Sequence, residues 1–514
     1  MVSFNYVPCY YLIMANTLWL VNPPTEKALE GFPGSLPQMK TWAEKSPDVD
    51  VSILDLAGVG QNEDAIVEAL NDYDFQDSYV GITATTATYQ SALRTARALK
   101  RSNPDVPVIL GGHHVKEAQA PSKGYVSLRW QQYRGEAAVV LDNHHEIDIC
   151  CTGEGERTLD DLLSGKPLEE VRGIAYRTEK GIVKNPLADR LVGSDLDTIS
   201  IKNFDEESLG KMKQFGNVNY VSATGCPLAC SFCSVGRERV ESKSLSRKME
   251  ELEYLIEKFP QVQDDERISI QDNFFGKSVK DTRALCEAIV SRHEEDPKFY
   301  FNWDCQTRVE SMTDPTLTDL MKETGCVAVY LGVENFSEEV LKYLNKPKRG
   351  NVANYLRDTR RSIGNLLDSD IEVYMEYQTG MPIETEEHRR ENIEALRELG
   401  KTAAERGKEI TVFMSLSVVY PGTNLAHGMF RDGAPREAFE TFTEWEDQQE
   451  GLRGYLGRNF AHGTGGIPTG VIDVKAFNSG EIRFDYDKLL AIDKYLAEIR
   501  KIEGIHLFDY QACP

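Results

Sequence analysis

Between Val218 and Val419 six apolar runs recur, each separated from the next by an amphipathic stretch: Val218–Ala223, Ile268–Gln271, Phe299–Asp304, Val327–Val333, Ile371–Thr379 and Thr411–Val419. Strands that alternate with helices build parallel units, because a parallel pair needs a crossover long enough to hold a helix. Between the first two runs Leu245, Met249, Leu252, Leu255, Ile256 and Phe259 follow helical spacing, and Pro260 ends that helix. The pattern predicts an α/β fold with a partial (β/α)6 TIM-like barrel over residues 216–425. Ligands of such barrels bind at the C-terminal strand ends.

A second β/α series occupies residues 15–160, with strand runs Leu18–Asn22, Val51–Leu56, Tyr79–Ala84, Val106–Leu110 and Ile147–Cys151. It predicts a Rossmann-like doubly wound sheet, which binds ligands at its strand ends. Small hydroxyls (Thr83, Thr85, Thr86, Thr88) follow the third strand, Gly111-Gly112-His113-His114 the fourth, and Gly153-Glu154-Gly155-Glu156 the fifth. Glycines there let backbone approach a bulky flat ligand, and no nucleotide-type Gly-x-Gly-x-x-Gly is present. Lys116–Glu146, with Trp130 and Tyr133, is long for a connection and reads as an insertion over the ligand.

Residues 161–215 read as a linker with a small hairpin around Lys180-Gly181, and residues 426–514 as a substrate-capping region. The latter holds a helix candidate at Phe439–Trp445, a glycine-rich run at Gly463–Gly466 and a helical stripe from Leu489 to Ile499. A chain of 514 residues exceeds the roughly 250–300 that one core serves, as this division requires. Its net charge of -24 argues against gripping nucleic acid or anionic lipid. No apolar run is long enough for a transmembrane segment. No Lys or Arg precedes Lys27, so a secretion signal lacks its basic region and a cytoplasmic location is expected. Met14 precedes the first strand run closely, so either Met1 or Met14 could be the start.

Of ten cysteines, seven are scattered and read as ordinary, Cys305 included, while Cys226, Cys230 and Cys233 fall within eight residues after the first barrel strand. Thiolates at that density need a cation. Structural zinc would want a fourth protein ligand, whereas a [4Fe–4S] cluster held by three cysteines keeps one iron open.

Cys226-x3-Cys230-x2-Cys233, with Phe232 before the third cysteine, resembles the signature of the radical S-adenosylmethionine (SAM) enzymes. Gly380-Met-Pro382-Ile-Glu384-Thr385 and Tyr420-Pro-Gly-Thr423 resemble turns of the same family. The preceding sheet, with its Gly-Gly-x-His and Gly-Glu-Gly-Glu segments, resembles the cobalamin-binding domain of cobalamin-dependent members. The resemblance implies a [4Fe–4S] cluster on the three cysteines. It implies S-adenosyl-L-methionine near Phe232, Gln271, Asp272, Arg308, Glu334, Glu376, Gly380 and Pro382, with Arg308 toward the SAM carboxylate. Cobalamin would lie near Thr83, Thr85, Thr86, Gly111, Gly112, His113, Gly153 and Glu154. An Asp-x-His-x-x-Gly cobalt-ligand motif is absent; Asp142-Asn-His144 is a near miss in another place.

The implied activity is methyl transfer to an unactivated carbon through a 5′-deoxyadenosyl radical. A small-molecule, lipid or peptide would be the substrate, and flavodoxin or ferredoxin the electron donor. A radical cyclase or rearrangement enzyme with the same domains is the alternative, and a zinc-stabilised binding protein the non-catalytic one.

Overall fold

A computed structural model of the chain describes residues 17–25, 32–116, 136–214, 216–347, 350–431, 434–447 and 485–508, with Ile467, Pro468, Ile472 and Ile482. Met1, Met14, Cys9, Trp130, Tyr133, Gly463–Gly466 and Cys513 lie outside the described residues.

The N-terminal unit is built on β1 (Thr17–Asn22), β2 (Asp50–Asp55), β3 (Ser78–Thr83), β4 (Val108–Gly111) and β5 (Ile149–Cys151). They pair in parallel in the order β2-β1-β3-β4-β5, the doubly wound arrangement. Helices α1 (Ser35–Ala43), α2 (Glu63–Leu70), α3 (Tyr89–Ser102), α4 (Glu136–Asn143) and α5 (Gly155–Leu163) supply the crossovers. Two apolar clusters result, one holding Val21, Val80, Ile82, Ala92, Ala96 and Leu99, the other Leu20, Leu36, Ile109, Leu159 and Leu162. Burial on both faces explains why these strands read as near-continuous apolar runs.

The hairpin expected in a linker instead extends this sheet. Strand β6 (Ile174–Thr178) runs antiparallel to β5, and β7 (Gly181–Lys184) antiparallel to β6, giving seven strands. Arg177 ties the hairpin down, donating 2.6 Å hydrogen bonds to the Leu141 and Ile147 carbonyls. Short elements follow: α6 (Gly193–Leu196), α7 (Glu206–Met212) and β8 (Lys213–Gln214).

The second sheet has eight strands. Strand β8 lies antiparallel at one edge of β9 (Asn217–Tyr220). Parallel to β9 run β12 (Arg267–Ile270), β13 (Trp303–Arg308), β14 (Cys326–Glu334), β15 (Glu372–Thr379), β16 (Ile410–Leu416) and β17 (Ile505–Leu507). A short ribbon, β10 (Ala223–Thr224) with β11 (Glu241–Ser242), stands outside it. Helices α8 (Leu245–Lys258), α9 (Val279–Glu295), α10 (Pro315–Glu323), α11 (Glu338–Tyr343), α12 (Val352–Asp368) and α13 (Glu386–Ala404) connect the strands.

Two boundaries differ from the sequence expectation. Strand β13 starts at Trp303 rather than Phe299, because the N–H groups of Phe299, Tyr300 and Asn302 bond to the Asp296, Lys298 and Val262 carbonyls instead of a neighbouring strand. The region expected wholly as a cap contributes a seventh parallel strand, β17, preceded by a helix at Tyr486–Ile499. The stripe Ile492, Tyr495, Leu496 and Ile499 on that helix joins the barrel core, and the Tyr495 hydroxyl meets Tyr377 at 3.0 Å. Gly400 and Gly504 permit the close approach of β17, since a Cβ on Gly400 would lie 2.2 Å from the Glu503 carbonyl.

Along β14, β15 and β16, Val329, Leu331, Val373, Met375, Val412 and Met414 join the core between sheet and helices. Side chains alternate along a strand, so Tyr330, Glu334, Tyr374, Glu376, Gln378 and Phe413 face the barrel interior. Tyr330 and Tyr374 stack at 4.8 Å and Phe413 and Phe508 at 4.3 Å, forming an aromatic floor. Above it the interior is polar.

The cap helices α14 (Asn424–Arg431) and α15 (Ala438–Asp447) form a small core with Val419, Ile467 and Ile472. Helix α15 reaches the N-terminal unit: Asn143 donates to Glu440 at 3.0 Å and Gln90 to Thr443 at 3.1 Å. Among the described residues no helix is long and apolar enough to cross a membrane.

Candidate active site

The cysteine loop leaves the end of β9 and is pinned on both sides. Asp272, just past β12, accepts from the Ser222 and Ala223 N–H groups at 2.7 Å and from the Ser222 hydroxyl at 2.7 Å. Asn273 accepts from Gly225 N–H at 2.9 Å. Gly225 has φ +85°, and a Cβ there would lie 2.4 Å from the Arg239 carbonyl, so the turn into Cys226 needs glycine. From the far side, Ser231 N–H donates to Leu344 O at 2.8 Å and Asn345 to Ala229 O at 2.7 Å.

Cys226, Cys230 and Cys233 are half-buried free thiols. Burial pushes the Cys226 thiol up and Cys233 to about 11, so these sulfurs ionise only against a cation. Among the described residues no three His, Cys, Asp or Glu side chains converge on one ion position. A multi-iron cluster would offer each of the three thiolates a different iron and needs no fourth protein ligand, whereas structural zinc does.

Arg308 ends β13 and is buried, its Nη1 donating to Cys230 Sγ at 3.4 Å. It is buried rather than solvated: Glu310 takes Nε and Nη2 at 3.2 and 3.0 Å and the Lys346 carbonyl takes Nη2 at 2.5 Å, which leaves one Nη1 N–H for a further partner. Glu334 sits at a break in register at the end of β14 with φ 70°, a strained conformation for a residue with a side chain. Its carboxylate is held by Lys346 Nζ at 2.7 Å and Gln378 Nε2 at 2.7 Å. Glu376 lies beside this group: burial, with the Glu334 charge adding and Lys346 opposing, raises its pKa to about 8. The shift favours the protonated carboxyl toward neutral pH.

The remaining expected SAM contacts divide. Gln271 borders the cavity described below, and its Nε2 donates to Ser269 Oγ at 2.7 Å. Asp272 does not border it; its Oδ1 holds the Ser222 and Ala223 N–H groups and its Oδ2 the Ser222 hydroxyl. Phe232 packs between the cap core and the cluster of Val340, Leu344 and Met381. Gly380, at φ 80°, is required by packing, because a Cβ would meet Leu416 Cδ1 at 2.6 Å, and Pro382 is exposed in the same turn. Lys346 was invisible in the sequence: a lysine beside Pro347 reads as a solvated charge.

A cavity of about 800 Å³ runs from the doubly wound sheet to the cysteine loop. Thr83, Thr85, Thr86, Gly111, Gly112, His113, Gly153 and Glu154 all border it, together with Gly225, Ser234 and Val235. One end is an apolar slot between the sheet and helices α1 and α5, walled by Leu20, Leu36, Met39, Ile109, Leu159 and Leu162. A Cβ on Gly81 or Gly111 would touch its neighbours only at 3.6 and 3.8 Å, so both glycines leave open a space that a larger side chain would fill. This cradle fits the flat, bulky corrin and its tail. His113 projects into the cavity, whereas His114 is fully buried and stacks on Tyr89 at 3.8 Å. The near-miss His144 stands elsewhere, bonded to Glu146 at 3.2 Å and to Glu440; burial lowers its pKa, but these carboxylates prevail and raise it to about 9.

Four charges on separate segments close the cavity wall. Lys116 Nζ pairs with Glu154 at 2.8 Å and Glu238 at 3.1 Å, and Arg190 Nη2 with Glu238 at 3.4 Å. Glu238 N–H in turn donates to the Cys226 carbonyl at 2.8 Å, so the network joins the sheet unit to the cysteine loop.

A β/α barrel with three thiols on the loop after its first strand, facing a doubly wound sheet with an apolar slot, defines a class of enzymes that pair a metal cluster with a second bulky cofactor. Residues 220–427 match the radical SAM superfamily and residues 42–163 match the B12 binding domain. The chain belongs to the radical SAM enzymes that carry a cobalamin-binding domain, whose cofactors are S-adenosylmethionine, a [4Fe–4S] cluster and cobalamin. It is 27% identical over 423 residues to the uncharacterized methyltransferase PH0819 of Pyrococcus horikoshii, covering 79% of this chain and 81% of that one. It is 26% identical to the anaerobic magnesium-protoporphyrin IX monomethyl ester cyclase of Rubrivivax gelatinosus, over 66% of this chain and 57% of that one. The fold is similar to that of the radical SAM methyltransferase TsrM from Kitasatospora setae, with TM-score 0.61, 20% identity, and 80% and 76% of the two chains covered.

Proposed function

We propose that this chain is a cobalamin-dependent radical SAM methyltransferase acting on an unactivated carbon. The observation that carries the reading is a cavity that runs from the apolar slot beside the doubly wound sheet to Gly225, Ser234 and Val235 around the cysteines. A methyl donor and a radical source would then share one chamber with the substrate. When bound, the cluster with SAM supplies a hydrogen-abstracting radical and methylcobalamin supplies the methyl group.

The chain's own residues position and protect. Cys226, Cys230 and Cys233 would hold the cluster, and Gly111, Gly112 and the threonines after β3 would leave room for the corrin. The Glu334–Lys346 pair and Gln378 keep a polar interior above the aromatic floor. Glu376, with its protonated form favoured toward neutral pH, offers a hydrogen-bond donor there. A small-molecule, lipid or peptide substrate and a flavodoxin or ferredoxin reductant complete the proposal.

The experiment is anaerobic reconstitution followed by turnover. Brown colour that is lost in Cys226→Ala, cobalamin in the extract, and S-adenosylhomocysteine formed with 5′-deoxyadenosine support methyl transfer. 5′-Deoxyadenosine without S-adenosylhomocysteine would favour the cyclase reading, which the similarity to the Rubrivivax gelatinosus cyclase supports. A colourless protein with stoichiometric zinc would overturn both.

A further inference from the structure

We propose that Arg308 sets the reduction potential of the cluster, through a charged hydrogen bond to the Cys230 sulfur. The inference rests on the cluster reading of the three thiols.

Arg308 is only 6% exposed, and its guanidinium is held as a fixed plate. Four of its five N–H donors are engaged: Nε and Nη2 on Glu310, Nη2 again on the Lys346 carbonyl, and Nη1 on Cys230 Sγ. The Tyr355 ring lies 6.0 Å from its Cζ, and the Tyr355 hydroxyl is itself fixed by the Gly332 and Val333 carbonyls at 3.0 Å. With one donor left, the group cannot form the two-pronged pair that a ligand carboxylate would seek. Glu310 and the Lys346 carbonyl fix the plate so that Nη1 points at the sulfur.

An arginine stays protonated at any working pH, so this is a permanent positive charge against a cluster ligand. Reduction transfers one electron from the flavodoxin- or ferredoxin-class donor to the cluster, leaving the donor oxidised, and no proton need move. Hydrogen bonds and positive charge at the cluster sulfurs stabilise the more negative, reduced state and raise the potential. Glu310 works the other way, because its carboxylate partly neutralises the same guanidinium. The pair is thus a two-sided control on how readily the site accepts its electron.

The two residues give opposite signs, which a merely structural role would not produce. The measurement is an EPR-monitored redox titration of the reconstituted holoenzyme without SAM. Arg308→Gln with full iron and sulfide is expected to lower the reduction equilibrium constant about tenfold, which for one electron is about 59 mV. Arg308→Lys, keeping charge without the fork, should fall between that variant and the parent. Glu310→Gln should shift the potential upward. An unchanged potential in an iron-replete Arg308→Gln protein overturns the inference. Should that variant fail to assemble its cluster, Glu310→Gln decides: an upward shift supports the inference, and no shift overturns it. Absence of iron in the parent protein is a different outcome, since it removes the cluster reading itself.

Discussion

Asp272 and Ser222 are joined twice, backbone N–H to Oδ1 at 2.7 Å and hydroxyl to Oδ2 at 2.7 Å, across the ends of two neighbouring barrel strands. Three residues separate Ser222 from Cys226, so this carboxylate fixes the root of the cysteine loop. Burial raises the Asp272 pKa, and the Ser222 and Ala223 donors oppose that rise. Asp272→Ala should leave three buried donors unmet and lower iron content after reconstitution by more than half, with a stability loss of about 1–3 kcal/mol. Asp272→Asn, which still accepts through Oδ1, should retain most of the iron.

The raised pKa of Glu376 makes stability depend on pH in a definite direction. The group moves from an ordinary 4.5 to about 8, so between those values the folded chain holds a proton that the unfolded chain has released. Its favourable contribution is complete below the lower value and disappears as pH rises through the upper one. Glu376→Gln cannot ionise, so its Tm relative to the parent should rise between pH 5 and pH 9. The expected size is about 2–4 °C for each kcal/mol in a unit of this size. A constant difference across that range, by scanning calorimetry, would show that the carboxyl titrates normally.

The corrin slot is open where Gly111 has no side chain. Gly111→Leu would place four carbons in that space, close to the Cys151 Cβ. Cobalamin recovered with the purified protein should drop at least tenfold while iron content is unchanged. Both quantities can be read from one absorption spectrum and an iron assay.

Lys116 and Glu238 hold the two units together beside the cysteine loop, with side chains only 17% and 8% exposed. Lys116→Met leaves Glu154 and Glu238 facing each other across a partly buried space. A loss of about 1.5–3 kcal/mol is expected, as for hydrogen bonds to charged groups. Limited proteolysis should then cut faster in the 185–192 segment that joins the units. Unchanged cleavage together with unchanged Tm would show that docking does not depend on this network.

Both β/α series, their order and the grouping of three thiols after the first barrel strand were legible in the chain, because each rests on local information. Alternation, helical spacing and thiols within eight residues all survive in one dimension. What escaped was pairing at a distance. The hairpin in 161–215 and the strand at Ile505–Leu507 join sheets through backbone hydrogen bonds to far segments, which composition does not record. Arg308 bonds a sulfur 78 residues away, and Asp272 holds backbone 50 residues away. Glu376 was visible as a strand residue, but its protonation depends on Glu334 and Lys346 meeting beside it. Residue type and spacing therefore determined which cofactors this protein can hold. Folding alone decided which charges face them, because electrostatic energy depends on separation in space and on burial rather than on separation along the chain.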